Sequence, residues 1–410
     1  MSRFQLRSLA LAGALLPWLA AAAPLSLDGA LDLAAQRSEA ARAARAGAAG
    51  ADELARAAGQ LPDPMLSVGI DNLPVTGSDR FSTTRESMTQ KRIGISQEWL
   101  SQDKRAARQA AAQASAGRER VQAQVAVAEA RLQTALAYLD AFYAAEALKL
   151  TTLNEHHAHE ELAASRARLA SSSGTGADVL ALTAAVGMSE DESADLRQQQ
   201  RAAQATLQRW VGVAADDLLP VQALATPPEP GYVAAHPAVV MAQRDIELAR
   251  QEAAVAATNR TPNWTWEVSY GQRTGYSDMV SVGVSIPLPV APAERQDRDT
   301  AARLAMLDKA QANLAEAVRA AAAEYQVFAS DAQRLQERIE RYRNAVLIPT
   351  RQRAAAAMAG YRSNQASLVT LFEARHAEVE VQRKLLALQR DRARAEAQLA
   401  LRPILSGATQ

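Results

Sequence analysis

Along most of this chain apolar residues recur at steps of four and three, and in a few short intervals they alternate one by one. The longest stepped run is Leu314, Val318, Ala321, Tyr325, Phe328, Ala332, Leu335, Ile339, Tyr342 and Val346. That is the heptad spacing of helices packed side by side. A matching run in the first half, Leu132, Leu136, Leu139, Tyr143, Leu150 and Leu153, is interrupted only at Glu146. A helix from Ala106 to Leu169 would be ~96 Å long at about 1.5 Å per residue. The breaks SSSGTG (Ser171 to Gly176) and AGYRSNQ (Ala359 to Gln365) predict turns at which each long helix reverses. Pro349 predicts a kink in the helix that carries it.

The alternating intervals predict four strands, about 64–73, 91–100, 263–272 and 279–288. Trp264, Trp266, Val268 and Tyr270 alternate with Thr265, Glu267, Ser269 and Gly271, and Val280 to Ile286 alternates with serine and glycine. Leu66, Val68 and Ile70, then Ile93, Ile95 and Trp99, do the same in the first half. Such strands fit a sheet over a small soluble core, or a transmembrane β-barrel with apolar side chains toward lipid. Three features favour the barrel. The strands approach the ~9–11 residues that cross a bilayer. Trp99, Trp264, Trp266, Tyr270 and Tyr276 gather near strand ends. The strands also run directly into very long helices, which leaves little else to cover an apolar face. Four strands do not close a barrel, which needs at least about eight, and an open edge in lipid costs several kcal/mol per unpaired group. Several identical chains are therefore expected to share one barrel.

The chain is written twice. Gly94 aligns with Gly283 and Ser96 with Ser285, and GADVLAL from Gly176 aligns with QASLVTL from Gln365 at the same offset. Pro62 aligns with Pro262 at a larger offset, so the first copy carries an insertion between its two strands, where a loop absorbs it. The expected organisation is a first repeat at 24–213 with its helical hairpin at 102–213 and a proline-rich connector at 214–235. A second repeat at 236–401 follows, with its hairpin at 290–401, then a tail at 402–410. The fold class is mainly α with a small β part.

Composition agrees. Apolar residues make up 48% but aromatics only 4%, so alanine carries much of the apolar count, as suits closely packed helices. The opening MSRFQLRSLALAGALLPWLAAAAP, with Arg3 and Arg7 before a short apolar run and small residues after it, reads as a signal peptide over 1–23. No later segment is apolar enough for a membrane helix. Its removal leaves a slightly acidic chain, and no basic surplus points to nucleic acid. There is no cysteine, hence no disulfide, thiolate metal site or cysteine nucleophile.

A duplicated helix, strand pair and long helical hairpin, exported, with GTGADVLAL and YRSNQASLVTLFEA at the helix turns, resembles the TolC family of outer-membrane efflux proteins over nearly the whole mature chain. The resemblance implies a homotrimer whose strands form a twelve-stranded barrel in outer-membrane lipid, continuous with a trimeric α-barrel through the periplasm. It implies two partners: a periplasmic adaptor, and an inner-membrane pump of the resistance–nodulation–division kind or another transporter. It implies a passive duct rather than an enzyme, with no catalytic residue and no cofactor. At the helix-turn end it implies a gate, with Asp178 and Tyr361 matching family positions, Arg362 beside the latter, and Glu373 in an acidic ring. Thr370 stands where some relatives have a second acid. The strands PNWTWEVSYG and VSVGVSIPLP are similar to the branch serving heavy-metal cations; drug or solvent efflux and type I secretion are alternatives.

Other residues carry less. In NEHHAHEE, His156 and His159 share a helix face with Glu160, a spacing that suits a divalent metal but more commonly a solvated face; no metal site is assigned. Methionines are not concentrated, so a copper thioether relay lacks support. HPAV at His236 marks a helix start. Two hairpins without lipoyl-like domains argue against an adaptor, and a pore would separate a channel from a structural coiled-coil rod.

Overall fold

The computed structural model describes residues 24–215 and 217–404; the expected leader at 1–23 and the tail beyond 404 lie outside the described residues. The first copy opens with α1 (Leu27–Arg37) and α2 (Glu39–Ala57), each started by a serine. Ser26 and Ser38 accept hydrogen bonds from the N–H groups of Gly29 and Ala41, satisfying donors the first turn leaves free. Strands β1 (Met65–Asp71) and β2 (Gln90–Trp99) follow. Ser101 then caps α3 (Gln102–Ala170), whose 69 residues span ~100 Å. After a short turn, α4 (Gly176–Val211) returns, capped by Thr175 and ended at Gly212 with φ 73°.

The second copy repeats the plan. A short α5 (Glu229–Ala234) leads to α6 (Pro237–Thr258), where the His236 ring accepts from the Ala238 N–H and Pro237 occupies the first helical position. Strands β3 (Trp264–Gln272) and β4 (Met279–Ser285) precede α7 (Gln296–Arg341). Strand β4 stops before Pro287 and Pro289, which cannot donate to a ladder. Where a kink is expected the chain forms a π-helical segment, Tyr342–Leu347, which ends two residues before Pro349 near the start of α8 (Ile348–Arg362). The proline has no N–H, and its ring crowds the carbonyl one turn back. The ladder widens there rather than breaking. Helix α9 (Leu368–Leu401) completes the hairpin.

The two hairpin turns share one design. Ser172 and Asn364 adopt φ 57° and 59°. In each turn the next N–H reaches back to a helix carbonyl, Ser173 to Arg168 and Gln365 to Gly360. Thr175 and Ser367 then cap the returning helices. By cap geometry Thr175 corresponds to Ser367, close to one helical turn away from the alignment of GADVLAL with QASLVTL.

The four strands form one antiparallel sheet in the order β1-β2-β3-β4. The apolar core lies among the helices. The largest cluster joins α1, α3, α4 and α9 through Leu31, Leu132, Leu139, Leu207, Val211 and Ala397. Tyr138 completes it, its hydroxyl 2.7 and 2.8 Å from the Leu25 and Leu219 carbonyls, tying the N-terminal segment and connector to α3. A second cluster, with Leu162, Leu182, Leu371 and Phe372, sits near the turns. The seam of α3 departs from its expected course after Glu146. Leu153 is 55% exposed, and Thr151, Asn154 and Ala158 are buried in its place. A straight helix drifts against a heptad repeat, so the packed stripe moves round the cylinder. Among the described residues no helix is long and apolar enough to cross a membrane.

Candidate functional site

Two regions carry residues from which function can be argued, the sheet and the end of the molecule where the helices turn. In the sheet, register stacks like with like. Leu66, Ile95, Val268 and Val282 form one row across all four strands, and Val68, Ile93, Tyr270 and Val280 form another. Between them, on the opposite face, run Ser67, Gly94, Ser269 and Ser281. The apolar rows are uncovered, with Val68 75% and Val282 74% exposed. The other face is small and charged: Arg92 bridges Asp71 at 3.2 Å and Glu267 at 3.1 Å, joining three strands. A Cβ on Gly94 would lie 2.9 Å from both Ser269 Cβ and Ser67 Oγ, so this face is closely packed where its neighbours meet.

The aromatic residues mark both ends of the sheet. Trp99 and Trp264 pair at the helix end with ring centroids 5.9 Å apart. Tyr276 lies at the opposite end, with the Arg273 guanidinium 5.7 Å from its ring centre. Between Trp264 and Tyr270 the strand rises ~20 Å at about 3.3 Å per residue. An uncovered apolar face, a polar opposite face and aromatic ends differ from a water-soluble sheet, whose apolar face is covered. Strands β1 and β4 pair on one side only, which leaves a row of backbone donors and acceptors along each edge.

At the turn end, Tyr361 packs against the Leu162–Leu371 cluster and Arg362 is exposed. Asp178 is half-buried in the first turn of α4, where its N–H donates to Thr175 Oγ1. Glu373 is exposed on α9. Among the described residues no hydrogen bond joins these four. What Tyr361 meets is Arg168, at the end of α3, whose guanidinium lies 5.8 Å from its ring centre. The same guanidinium donates to the Ser173 carbonyl and to Asn364 Oδ1, both at 3.3 Å, and so links the two turns. A basic residue in the last turn of a helix is the only sequence signal Arg168 offers.

Deeper in, polar side chains join the two hairpins. Arg375 on α9 donates to Glu161 on α3 at 2.7 Å, and the Glu161 side chain is only 5% exposed. Burial pushes this carboxyl up to about 7, against the pull of the Arg375 charge. About two turns further along α9, Arg383 reaches Glu192 on α4 at 3.4 Å. His376 lies between α3 and α4, with Nδ1 3.5 Å from Asn154 Nδ2 and Nε2 3.9 Å from Glu192 Oε1.

The histidines of NEHHAHEE turn to different acids. His156 and His157 meet Glu160 at 3.4 and 3.2 Å, and His159 meets Glu190 on α4 at 3.1 Å. The hydrogen bond from His157, with the His156 charge next, holds the Glu160 carboxyl below its ordinary range. The structure does not bring His156 and His159 onto one carboxylate.

Solved structures resemble the chain over more than nine-tenths of its length. The outer membrane protein VceC of Vibrio cholerae matches at 19% identity with a TM-score of 0.74, covering 92% of this chain and 96% of that one. The CmeC outer membrane channel of Campylobacter jejuni matches at 12% identity and TM-score 0.77, over 92% and 85%. The open state of the MtrE outer membrane channel of Neisseria gonorrhoeae matches at 16% identity and TM-score 0.76, over 94% and 90%. No family model and no curated protein matches the chain. Mainly helical, with one small antiparallel sheet feeding two long hairpins, the chain has the fold of the TolC-type outer-membrane channels.

Proposed function

We propose that three copies of this chain assemble into an outer-membrane channel, the passive exit duct of a tripartite efflux system. The observation that carries this reading is the sheet, whose apolar face is uncovered and whose two edges are free. Three such sheets joined edge to edge make twelve strands, enough to close a barrel and remove every edge. The apolar rows then meet lipid, the aromatic ends sit at its two interfaces, and the serine, glycine and charged rows line water. The ~100 Å helices carry the lumen on through the periplasm. A solute crosses in water throughout, so the duct needs no chemistry of its own. The driving energy comes from an inner-membrane pump of the resistance–nodulation–division kind, coupled through a periplasmic adaptor at the helix turns. The cargo is heavy-metal cations, as the likeness of the strands to that branch implies.

The gate lies at the turns, formed by Asp178, Tyr361, Arg362 and Glu373, with Arg168 holding Tyr361 from within the chain. The deciding experiment reconstitutes the purified protein in a planar bilayer. The trimer conducts ions, and Asp178→Ala combined with Tyr361→Phe raises conductance severalfold; Arg168→Ala does the same to a lesser degree. A protein that inserts without conducting defeats the channel reading, whereas unchanged conductance in these variants defeats only the gate. Deletion followed by zinc, copper and drug challenge identifies the cargo.

A further inference from the structure

The geometry points to a divalent transition-metal site between α4 and α9, formed by His376, Glu380 and Glu192. It lies outside the proposed gate and does not rest on the channel reading. One ligand atom from each residue lies within 4.8 Å of the other two. His376 and Glu380 stand one turn apart on α9, facing the same way, and Glu192 approaches from α4.

The histidine is held in place before any ion arrives. Its ring stacks on Phe372, with centroids 5.7 Å apart and planes at 13°. Its Nδ1 faces the side chain of Asn154, which is 2% exposed and also reaches Ser189 Oγ at 3.5 Å. That fixes the other ring nitrogen, Nε2, toward Glu192. Half a turn of the Asn154 carboxamide presents Oδ1 to an Nδ1–H, the support that a metal-bound imidazole commonly has. Glu380 is the exposed member, and Arg383 is the group that pairs with it. A four-coordinate ion at about 2.0–2.2 Å from each ligand needs them roughly 3.3–3.6 Å apart, a small closure of the present set.

Arg383 now stands in the ion's place. It pairs with both Glu192 and Glu380, neutralising two carboxylates that would otherwise repel. Guanidinium and metal are alternative counter-charges, and Arg383 lies close enough to solvent to move aside. One imidazole nitrogen with two carboxylates suits zinc, cobalt or nickel. It offers neither the thiolates that select copper(I) nor the six or more oxygens that calcium prefers. An ion here staples the first repeat to the second by direct bonds.

The test uses the full chain, purified in detergent and stripped of metal. Cobalt(II) titration is expected to give visible absorption bands saturating at one ion per chain, and zinc is expected to raise the melting temperature. His376→Ala abolishes the bands and weakens zinc binding by at least about 10-fold, and Asn154→Ala weakens it by about 10-fold. Arg383→Met, which removes the competing cation and keeps much of the stem, tightens it. His156 and His159, both exposed, and the half-buried His157 supply an internal control. If His376→Ala titrates as the parent does, or if the parent gives no cobalt bands, the proposed site is wrong.

Discussion

Glu161 shows how one side chain sets conditions for the whole helical end. Burial has raised its carboxyl to about 7, with the negative Glu160 adding to the rise and Arg375 opposing it. An unfolded glutamate releases its proton near pH ~4.3. Between that value and 7 the folded chain binds the proton and the unfolded chain does not. The resulting stability is therefore complete below the unfolded value and is lost as pH rises through 7. Melting of the parent protein should thus fall between pH 5 and pH 8. Glu161→Gln keeps an oxygen for Arg375 without a charge, and it should flatten that slope, with a difference of at least about 2 °C at the alkaline end. Equal slopes in both proteins would show that another group controls the pH response. None of this was legible beforehand: Glu161 and Arg375 are 214 residues apart in sequence. Each alone reads as an ordinary charge on a helix surface.

Elements were easier to read than contacts, and the reasons are local. Period-two alternation is written into each strand, so the faces of Val268 and Val282 follow from parity alone. Prolines and small polar residues mark the helix ends, as Pro237, Ser101 and Thr175 do. What local pattern does not carry is rotation accumulated along a helix, which moved the packed stripe of α3 away from Leu153. Nor does it carry which arginine meets Tyr361. The turn residues named from resemblance lie together at one end, but the link is made by Arg168. Within the sheet the two faces should respond oppositely to charge. Val282→Arg places a guanidinium on the central apolar row, where it costs roughly 2–4 kcal/mol in a bilayer. It should sharply lower the yield of heat-stable trimer on gels. Ser281→Asn, one residue away on the polar face, should assemble normally. Equal yields from both would mean that lipid does not touch the apolar rows.

At the scale of the whole molecule, duplication explains the architecture. One repeat has two strands and one hairpin, too few to enclose anything. Two repeats in one chain make a four-stranded sheet and two hairpins bound to each other through the Leu162–Leu371 cluster and a polar layer beside it. That layer differs from the body of the molecule. Around Tyr138 the helices meet through leucine, valine and alanine, whereas nearer the turns Asn154, Glu161, Ser165, Ser189 and Ser193 are all buried. A packing seam with less apolar burial opens at lower cost, so the helices near the turns form the part best suited to move. Amide hydrogen exchange on the full chain should be faster in residues 150–200 than around residues 128–141; uniform protection along α3 would remove this account of where motion is concentrated.

The unequal loops of the sheet have a consequence of their own. The connection from Asp71 to Gln90 is much longer than that from Gln272 to Met279, and it exposes Val75, Phe81 and Met88 at the tip farthest from the helices. In a cell whose envelope holds this protein as proposed, that tip is what faces the surroundings. A short epitope inserted beside Gly77 should bind antibody on intact bacteria, while the same epitope beside Gly174 should stay hidden until the envelope is broken. Three such loops ringing one mouth would make this face the one that phages, antibodies and neighbouring cells encounter.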